Sequence, residues 1–240
     1  MKILGVITAR GGSKGIPGKN IKPLGGRPLI AYTAAVAKKS RLVNDLILST
    51  DDKAIADVVK QLGVAVPFLR PKELAEDKTP HVPVMQHALD FMEKQQGYTY
   101  DYVVTLQPTS PFRTAEDIDR TIQKAIDLKA DSAVSLVEVS RPHPSKFKKL
   151  EGDRVLPYFF DEPEGVRRQD LPKVYVRSGA VYVSKRDLLK NQGQLFGNLV
   201  VGLVVPEERS TDIDTEYDWM LTEYKYEKLN EAGFFKDFFG

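Results

Sequence analysis

The stretch that decides the fold lies near the N-terminus, where ILGVITA (residues 3–9) is followed directly by RGGSKGIPGKN (residues 10–20). The first part is apolar and has the length of a buried β-strand. The second part interleaves glycines with cations: Gly11, Gly12, Gly15 and Gly18 with Arg10, Lys14 and Lys19. Because glycine has no Cβ, backbone N–H groups in such a loop can approach an anion closely. We therefore predict a strand followed by a loop that holds a nucleoside triphosphate.

This loop differs from two common phosphate-binding motifs. No Gly-Lys-Ser/Thr ends it, as a P-loop requires, and the next helix is predicted to begin near Pro28, after the glycines rather than among them. A basic turn at the surface is the alternative. The position directly after the first strand favours the phosphate site.

Outward from this stretch, short β-rich segments alternate with helical patterns. The predicted strands are residues 3–9, 46–48, 64–68, 102–106, 132–139, 180–183 and 199–205. The predicted helices begin near Pro28 and span residues 53–62, 81–94, 115–128 and 215–230. This alternation predicts an α/β fold with a mostly parallel sheet flanked by helices. In such sheets ligands bind beyond the carboxyl ends of the strands.

Two helix starts carry capping signals. Thr50 or Asp51 is predicted to cap the helix of residues 53–62, and Thr114 with Asp117 forms a capping pattern before the helix of residues 115–128.

Residues 141–172 break the alternation, because they are rich in proline and charge and hold one apolar segment, residues 155–160. A structureless loop of this length is uncommon. We predict an excursion that contains a β-hairpin and serves as a dimerisation arm, on a single domain that spans residues 1–240.

Composition limits the class of protein. The net charge of +2 comes from 35 basic and 33 acidic residues with no basic stripe, so we expect no nucleic-acid partner. The chain has no cysteine, which excludes disulfides, thiolate metal sites and a thiol nucleophile. The apolar start is too short for a signal peptide or a membrane-spanning helix. We expect a cytoplasmic protein with no membrane partner.

Two further segments carry chemistry. Gln107, Thr109 and Ser110 follow a predicted strand and supply neutral groups suited to sugar hydroxyls or an amide. Asp212 and Asp214 stand two residues apart in an extended segment and would point the same way, as Mg²⁺ (or Mn²⁺) ligation needs. Capping of the last helix is the alternative for Asp214.

Taken together, several blocks resemble the CMP-N-acylneuraminate (CMP-sialic acid) synthetase family. They are ARGGSKG (residues 9–15), GKNIKPL (18–24), PLI (28–30), STDD (49–52), FLRP (68–71), LQPTSPFR (106–113), RQDLP (168–172) and DIDTE (212–216). The blocks cover nearly the whole chain. The resemblance implies a nucleotidyltransferase fold, Rossmann-like or GT-A-like. It also implies a homodimer and the reaction of CTP with a nine-carbon 2-keto acid sugar, which gives a CMP-sugar and pyrophosphate.

The resemblance also implies roles for individual residues. The implied catalytic residues are Arg10, Lys19 and Asp212. The implied nucleotide-binding residues are Arg10, Gly11, Gly12, Ser13, Lys14, Lys19, Asn20 and Arg70. The implied sugar-binding residues are Gln107, Thr109, Ser110, Lys146, Arg168 and Tyr182, with Arg168 on the dimer arm and able to reach the neighbour's site. The implied metal ligands are Asp212 and Asp214, one of which could instead accept the proton of the attacking hydroxyl.

One block departs from the family pattern. Many members have Arg-x-Asn-Gly-Ala where this chain has VRSGA (residues 176–180), so that Ser178 replaces the asparagine and Arg177 sits one residue late. In an extended strand a shift of one residue turns a side chain to the other face. We therefore expect Arg177 to point away from the sugar. His81 stands near a position where relatives carry a small hydroxyl residue beside the nucleotide.

Other functions stay open at this point. A CMP-Kdo synthetase is one, although that enzyme has an acidic residue in the loop where this chain has QPTS (residues 107–110). Another sugar-nucleotide pyrophosphorylase, a GT-A-like glycosyltransferase and an inactive nucleotide-binding regulator are the others. An inactive protein is disfavoured because Arg10, Lys19, Asp212 and Asp214 are all present.

Overall fold

The computed structural model describes residues 1–139, 141–159 and 165–239, and only the backbone of Arg168. The strands are β1 (Ile3–Thr8), β2 (Pro23–Leu24), β3 (Arg27–Pro28), β4 (Asp45–Ser49), β5 (Tyr102–Leu106), β6 (Ser132–Glu138), β7 (Lys148–Glu151), β8 (Arg154–Pro157), β9 (Tyr175–Lys185) and β10 (Val200–Val204). The α-helices are α1 (Leu29–Ala37), α2 (Lys53–Gln61), α3 (His81–Gln96), α4 (Ala115–Asp127), α5 (Arg186–Gln192) and α6 (Glu216–Glu231).

A six-stranded sheet in the order β10-β6-β9-β5-β1-β4 forms the centre of the molecule. β1 pairs in parallel with β4 and β5, and β10 pairs in parallel with β6. β9 runs antiparallel to both of its neighbours. The mostly parallel sheet is thus confirmed. The reversed direction of β9 places its first residues at the edge where the parallel strands end.

Helices cover both faces of this sheet, which explains the nearly continuous apolar run of β1. Ile3 and Ile7 pack into a core with residues of α1, α2 and α4. Leu4 and Val6 point the other way, into a core with residues of α3 and with Leu189 of α5. Both faces of β1 are therefore buried, and the loop after it begins at a fixed point.

Several local predictions need correction. α2 is capped by Asp52, whose side chain accepts from the Ile55 N–H at 3.0 Å, and not by Thr50 or Asp51. Residues 64–68 form no full strand: only Ala65 bridges to β4, and Pro67 in this segment has no N–H to donate. Helix α5 was not predicted.

Other local predictions are confirmed. Thr114 and Asp117 form the predicted capping box of α4. The predicted hairpin is the β7–β8 pair, a separate two-stranded sheet joined by a turn in which Gly152 has a φ of 61°. Its apolar side chains are exposed, with Leu150 at 73% and Val155 at 64%. Its role as a dimerisation arm stays a prediction. Across the described residues, every helix is too short or too polar to cross a membrane.

Candidate active site

A charged cleft of about 350 Å³ opens where β1 and β5 end. Six of the eight predicted nucleotide-binding residues line it: Arg10, Ser13, Lys14, Lys19, Asn20 and Arg70. Thr109, Gln107 and Asp214 line it as well. The loops predicted to bind a triphosphate, a sugar and a metal therefore meet at one edge of the sheet.

Two glycines let the phosphate loop pack tightly against acidic segments. The Gly11 N–H donates to Asp51 Oδ1 at 3.1 Å, and a Cβ on Gly11 would lie 2.5 Å from Asp52 Oδ2. A Cβ on Gly15 would overlap the carbonyl oxygen of Asp214. Gly11 thus directs its N–H to a protein carboxylate, which corrects the expectation that it faces an anionic ligand. Gly12 is exposed, and a Cβ there would meet nothing within 4 Å.

Asn20 links the two ends of the loop of residues 10–20 by a hydrogen bond. It is 5% exposed, and its side-chain amide donates to the Arg10 carbonyl at 3.0 Å. This bond fixes the two ends of the loop relative to each other.

Lys19 connects the phosphate loop to the acidic segment. Its ammonium is largely buried, donates to the Ile213 carbonyl and lies 3.3 Å from Asp214 Oδ1. The residue predicted to neutralise the α-phosphate is thereby next to a predicted metal ligand, although the two are 195 residues apart in the chain.

Asp212 and Asp214 form a pair of acids at this junction. Burial raises the pKa of Asp212, and the like charge of Asp214 raises it further, while a hydrogen bond with the Thr109 side chain and the charge of Lys19 act against the rise. Among the described residues no set of three His, Cys, Asp or Glu is placed to hold a metal. Two carboxylates suit Mg²⁺, because that ion takes few protein ligands and fills the rest with phosphate oxygens and water.

Asp77 forms ion pairs with the two cations that are predicted to bind the triphosphate. Arg10 Nη1 lies 2.6 Å from Asp77 Oδ1, and the Lys14 ammonium pairs with Asp77 Oδ2. The hydrogen bonds from Lys14 and Arg10 hold the pKa of Asp77 below its usual range. Asp77 was not predicted, because it lies in a loop without a recognisable motif.

Arg70 lines the cleft and also braces its wall. Its Nε donates to Ser49 Oγ at 3.1 Å, another nitrogen to the Ser49 carbonyl, and a third to the Leu74 carbonyl at 3.4 Å. Burial lowers the pKa of Arg70 to about 10, so the group stays a cation at neutral pH. Its contact with a nucleoside stays a prediction.

A second cavity of about 200 Å³ adjoins the first and shares two residues with it, Gln107 and His81. Its other lining residues are Thr105, Arg177, Tyr182, Leu195 and Phe196. The guanidinium of Arg177 lies 4.9 Å from the centre of the Phe196 ring, which also meets Tyr182 edge-on at 5.9 Å. The predicted sugar residues Gln107 and Tyr182 therefore face an aromatic cavity with one cation.

The prediction that Arg177 points away from the site is wrong. Between the pairs Val134–Tyr182 and Leu136–Arg177 the register of β6 and β9 shifts, so that a longer stretch of β9 faces Ser135 alone. The Ser135 hydroxyl accepts from the Val181 N–H at 2.8 Å and fills the gap. A bulge of this kind re-aims side chains. Arg177 and Tyr182 consequently line the same cavity.

Three of the predicted sugar residues are placed elsewhere or lack a described side chain. Ser110 is 2% exposed and donates to the Ser178 carbonyl at 3.3 Å, so it holds the bulge in place. Lys146 ends a 3₁₀ turn, Pro144–Lys146, and within the described part of the chain it lines neither cavity. Arg168 begins a short turn, Arg168–Asp170, and its side chain lies outside the described residues.

His81, which the resemblance places beside the nucleotide without a chemical role, lies between the two cavities. It is the first residue of α3 and lines both cavities. Burial, and then the positive charge of Arg70, lower the pKa of His81 to about 4, so the imidazole is neutral at physiological pH. Its Nε2 is buried and has no hydrogen-bond partner among the described residues. The resemblance to the family was the only signal in the sequence for this residue.

Comparison with known proteins identifies the family. A cytidylyltransferase family model matches residues 4–163 of the 240. This chain belongs to the cytidylyltransferase family. The implied transferase class is thus confirmed, and the resemblance inferred from the motifs is confirmed by named relatives.

The relatives of this cytidylyltransferase carry several substrate names. It is 35% identical to a CMP-N,N′-diacetyllegionaminic acid synthase of Legionella pneumophila, over 97% of this chain and 99% of that protein. It is 32% identical to a pseudaminic acid cytidylyltransferase of Campylobacter jejuni, over 98% of this chain and 100% of that protein. It is 30% identical to an N-acylneuraminate cytidylyltransferase of Streptococcus agalactiae, over 92% of this chain and 52% of that protein.

Solved structures confirm the fold of this cytidylyltransferase. A CMP:2-keto-3-deoxy-manno-octonic acid synthetase, solved in complex with CTP, superposes with a TM-score of 0.70 over 96% of this chain and 100% of that one. The two sequences are 19% identical, so this likeness concerns the fold alone.

Proposed function

We propose that this cytidylyltransferase transfers CMP from CTP to a nine-carbon 2-keto acid sugar and releases pyrophosphate. The sugar is an N-acylneuraminate or a related nonulosonate such as legionaminate. The observation that carries the proposal is the junction of the two cavities at Gln107: a charged cleft lies on one side, and an aromatic cavity with Arg177 lies on the other. A reaction between two substrates needs such adjoining sites, because held reactants combine far faster than free ones. The relatives' names support an acidic nonulosonate as the second substrate.

In this proposal the charged cleft holds the nucleotide. Arg10 can grip a phosphate as a two-pronged donor, whereas Lys14 acts as a point charge. Lys19 faces the cleft and neutralises charge at the α-phosphate. Asn20 and Arg70 lie on the nucleoside side. Phosphoryl-type transfer asks mainly for this positioning and charge stabilisation.

The proposed reaction is a single displacement. The oxygen of the sugar's anomeric hydroxyl forms a bond to the α-phosphorus, and the bond from that phosphorus to the oxygen bridging to the β-phosphate breaks. Pyrophosphate leaves with that electron pair, and the hydroxyl proton passes to a carboxylate of the Asp212 and Asp214 pair. These two residues would also hold Mg²⁺ (or Mn²⁺), which when bound neutralises charge on the phosphates.

The proposal is tested by supplying the purified protein with CTP, Mg²⁺ and one keto acid at a time. N-acetylneuraminic, N,N′-diacetyllegionaminic and pseudaminic acids are compared, with pyrophosphate release and the mass of the CMP-sugar as readouts. We expect product with at least one of the three acids and none without acid. The eight-carbon acid Kdo and the triphosphates ATP, GTP and UTP serve as controls. Turnover with Kdo alone, or release of pyrophosphate from CTP without an acid, contradicts the proposal.

We also propose that residues 141–172 form a dimer contact and that Arg168 reaches the partner's site. The exposed apolar side chains of the β7–β8 hairpin support this, among them Leu150 and Val155. Light scattering after gel filtration checks it. A Leu150→Lys change should shift a dimer towards monomer, and a wild-type protein that elutes as monomer at micromolar concentration refutes the proposal. The cytoplasmic location stays a prediction.

A further inference from the structure

Arg113 is the largest of the fully buried side chains, with an exposure of 1%. It ends the loop that follows β5, and its Nη2 donates to the carbonyl of Gln107 at the start of that loop. Its Nε and Nη1 are also buried and have no hydrogen-bond partner within the described part of the chain. A guanidinium is thus enclosed in the protein with only part of its donors in use.

Asp117, whose negative charge acts on Arg113, does not form an ion pair with it. Asp117 lies one turn further along, but its oxygens accept from Arg209 and from the Thr114 N–H at 2.8 Å. Burial lowers the pKa of Arg113 to about 9, although the negative charge of Asp117 opposes this fall. At neutral pH Arg113 is therefore still a cation, and it is not directly paired among the described residues.

Such a group is costly to the fold. A buried charge that lacks part of its hydrogen bonds destabilises a folded protein. A loop that only needed bracing could use a neutral donor at lower cost. The charge therefore calls for an explanation beyond packing.

The two residues that Arg113 influences, Gln107 and Tyr182, both line the proposed substrate cavities. Gln107, held through its carbonyl, stands between the two cavities. Tyr182 lines the aromatic cavity, and although burial raises the pKa of its phenol, the charges of Arg177 and Arg113 act against that rise. Arg113 itself lines neither cavity, so it acts from within the protein, through its contact with Gln107 and through its charge. Inside a protein such a charge is screened less than at the surface.

We propose that Arg113 is a positioning residue for the acidic sugar. Its hydrogen bond fixes Gln107 between the two substrates, and its buried charge favours a carboxylate in the aromatic cavity. This inference rests on the proposed function. It adds a second cation, within the protein, to the exposed Arg177 that lines the cavity.

The test compares Arg113→Met, which removes the charge, with Arg113→Lys, which keeps it on a differently shaped group. Arg209→Met is the matched control, because Arg209 is a half-buried cation that contacts the same Asp117. For each protein Tm, kcat and the KM values of CTP and of the keto acid are measured. The measurements are repeated with the methyl ester of the acid, which lacks the negative charge and carries one extra methyl group in every variant alike.

For Arg113→Met we expect the KM of the acid to rise about 10-fold with the KM of CTP within about 2-fold, and a clearly smaller rise for the ester. Arg113→Lys should keep the KM of the acid within about 3-fold while kcat falls about 10-fold, because Gln107 is held less well. Arg209→Met should lower Tm without changing the ratio of the KM for the acid to the KM for the ester. A loss in Arg113→Met that is confined to Tm, or is equal for acid and ester, overturns the inference.

Failure of this inference can be distinguished from failure of the proposed function. If Arg113→Met does not fold, Arg113→Lys decides alone, and a wild-type kcat in that variant overturns the inference. Wild-type turnover in the same assay tests the proposed function. No turnover with any acid removes both proposals, whereas normal turnover with unaffected Arg113 variants removes this one only.

Discussion

The charged cleft and the aromatic cavity meet at Gln107 and His81, yet the chain builds them in different ways. The cleft takes most of its cations from one continuous loop, residues 10–20, which follows a buried strand. The cavity is assembled from β5, β9, the start of α3 and the segment after α5, and it depends on an irregular pairing of β6 with β9. A site built from one continuous segment can be recognised as a sequence motif. A site built from several distant segments depends on how its strands pair, and strand pairing cannot be read from a local motif.

The largest expected effect lies in the cleft. Lys19→Ala should lower kcat by roughly 10²- to 10³-fold, because the proposed mechanism uses this largely buried cation to neutralise charge at the α-phosphate. Pyrophosphate release with saturating CTP and acid is the measurement. Lys22→Ala is the control: it removes a neighbouring cation that pairs with Glu216 at 3.2 Å, and it should change kcat by less than about 3-fold. Similar losses in both variants would mean that general loop charge, and not Lys19, matters.

The same difference explains what the sequence could predict. Six of the eight predicted nucleotide-binding residues line the cleft, and five of the six belong to the loop after β1, because a strand followed by a glycine loop is a local feature. Arg177 was misplaced because the period-2 argument assumes a regular strand, and the bulge opposite Ser135 breaks it. Asp77 was missed because its loop has no local pattern, and its partners, Arg10 and Lys14, are more than 60 residues away in the chain. Contacts that depend on long-range register or loop closure leave little trace in sequence.

The next largest effect is expected from His81, which lines both the cleft and the cavity. His81 has a pKa of about 4 in the folded protein against an ordinary value of 6.5, so below pH 6.5 the unfolded chain binds a proton that the folded one does not. The free energy of unfolding should therefore fall as the pH drops from about 6.5 to 4, and this loss is absent in His81→Asn. The expected contribution is on the order of 2 to 3 kcal/mol.

Urea unfolding of the wild type and His81→Asn between pH 4 and 7 measures this contribution. His87→Asn is the comparison, since burial also lowers the pKa of His87 but the charges of Asp90 and Glu73 oppose that shift. We expect a smaller change there. Parallel pH curves for the wild type and His81→Asn would show that His81 is freely protonated in the folded state.

The third largest effect is expected in the aromatic cavity. Arg177→Gln should lower kcat/KM for the keto acid by about 10- to 100-fold and leave the KM of CTP within about 2-fold, because Arg177 faces only the second cavity. Arg120→Gln, an exposed arginine that pairs with Glu116 at 3.7 Å, is the control and should behave as wild type. An equal loss for CTP and for the acid would contradict the separation of the two cavities.

The smallest effect should come from Asp77, and it should have the opposite sign. Its carboxylate lies on Arg10 and Lys14, the same donors that a triphosphate would use, so binding of CTP must displace it. Asp77→Asn weakens that competition, and the Kd for CTP should fall by about 3- to 10-fold, in keeping with the modest strength of partly exposed ion pairs. Titration calorimetry at low salt measures this Kd.

Glu76→Gln is the control, because it makes the same change of charge at a neighbouring residue of the cleft. In the described structure the Glu76 side chain pairs with neither Arg10 nor Lys14, so this change should leave the Kd nearly unchanged. If Asp77→Asn instead binds CTP more weakly, Asp77 orients the two cations for the nucleotide, and the cleft is built by long-range contacts as much as the cavity is.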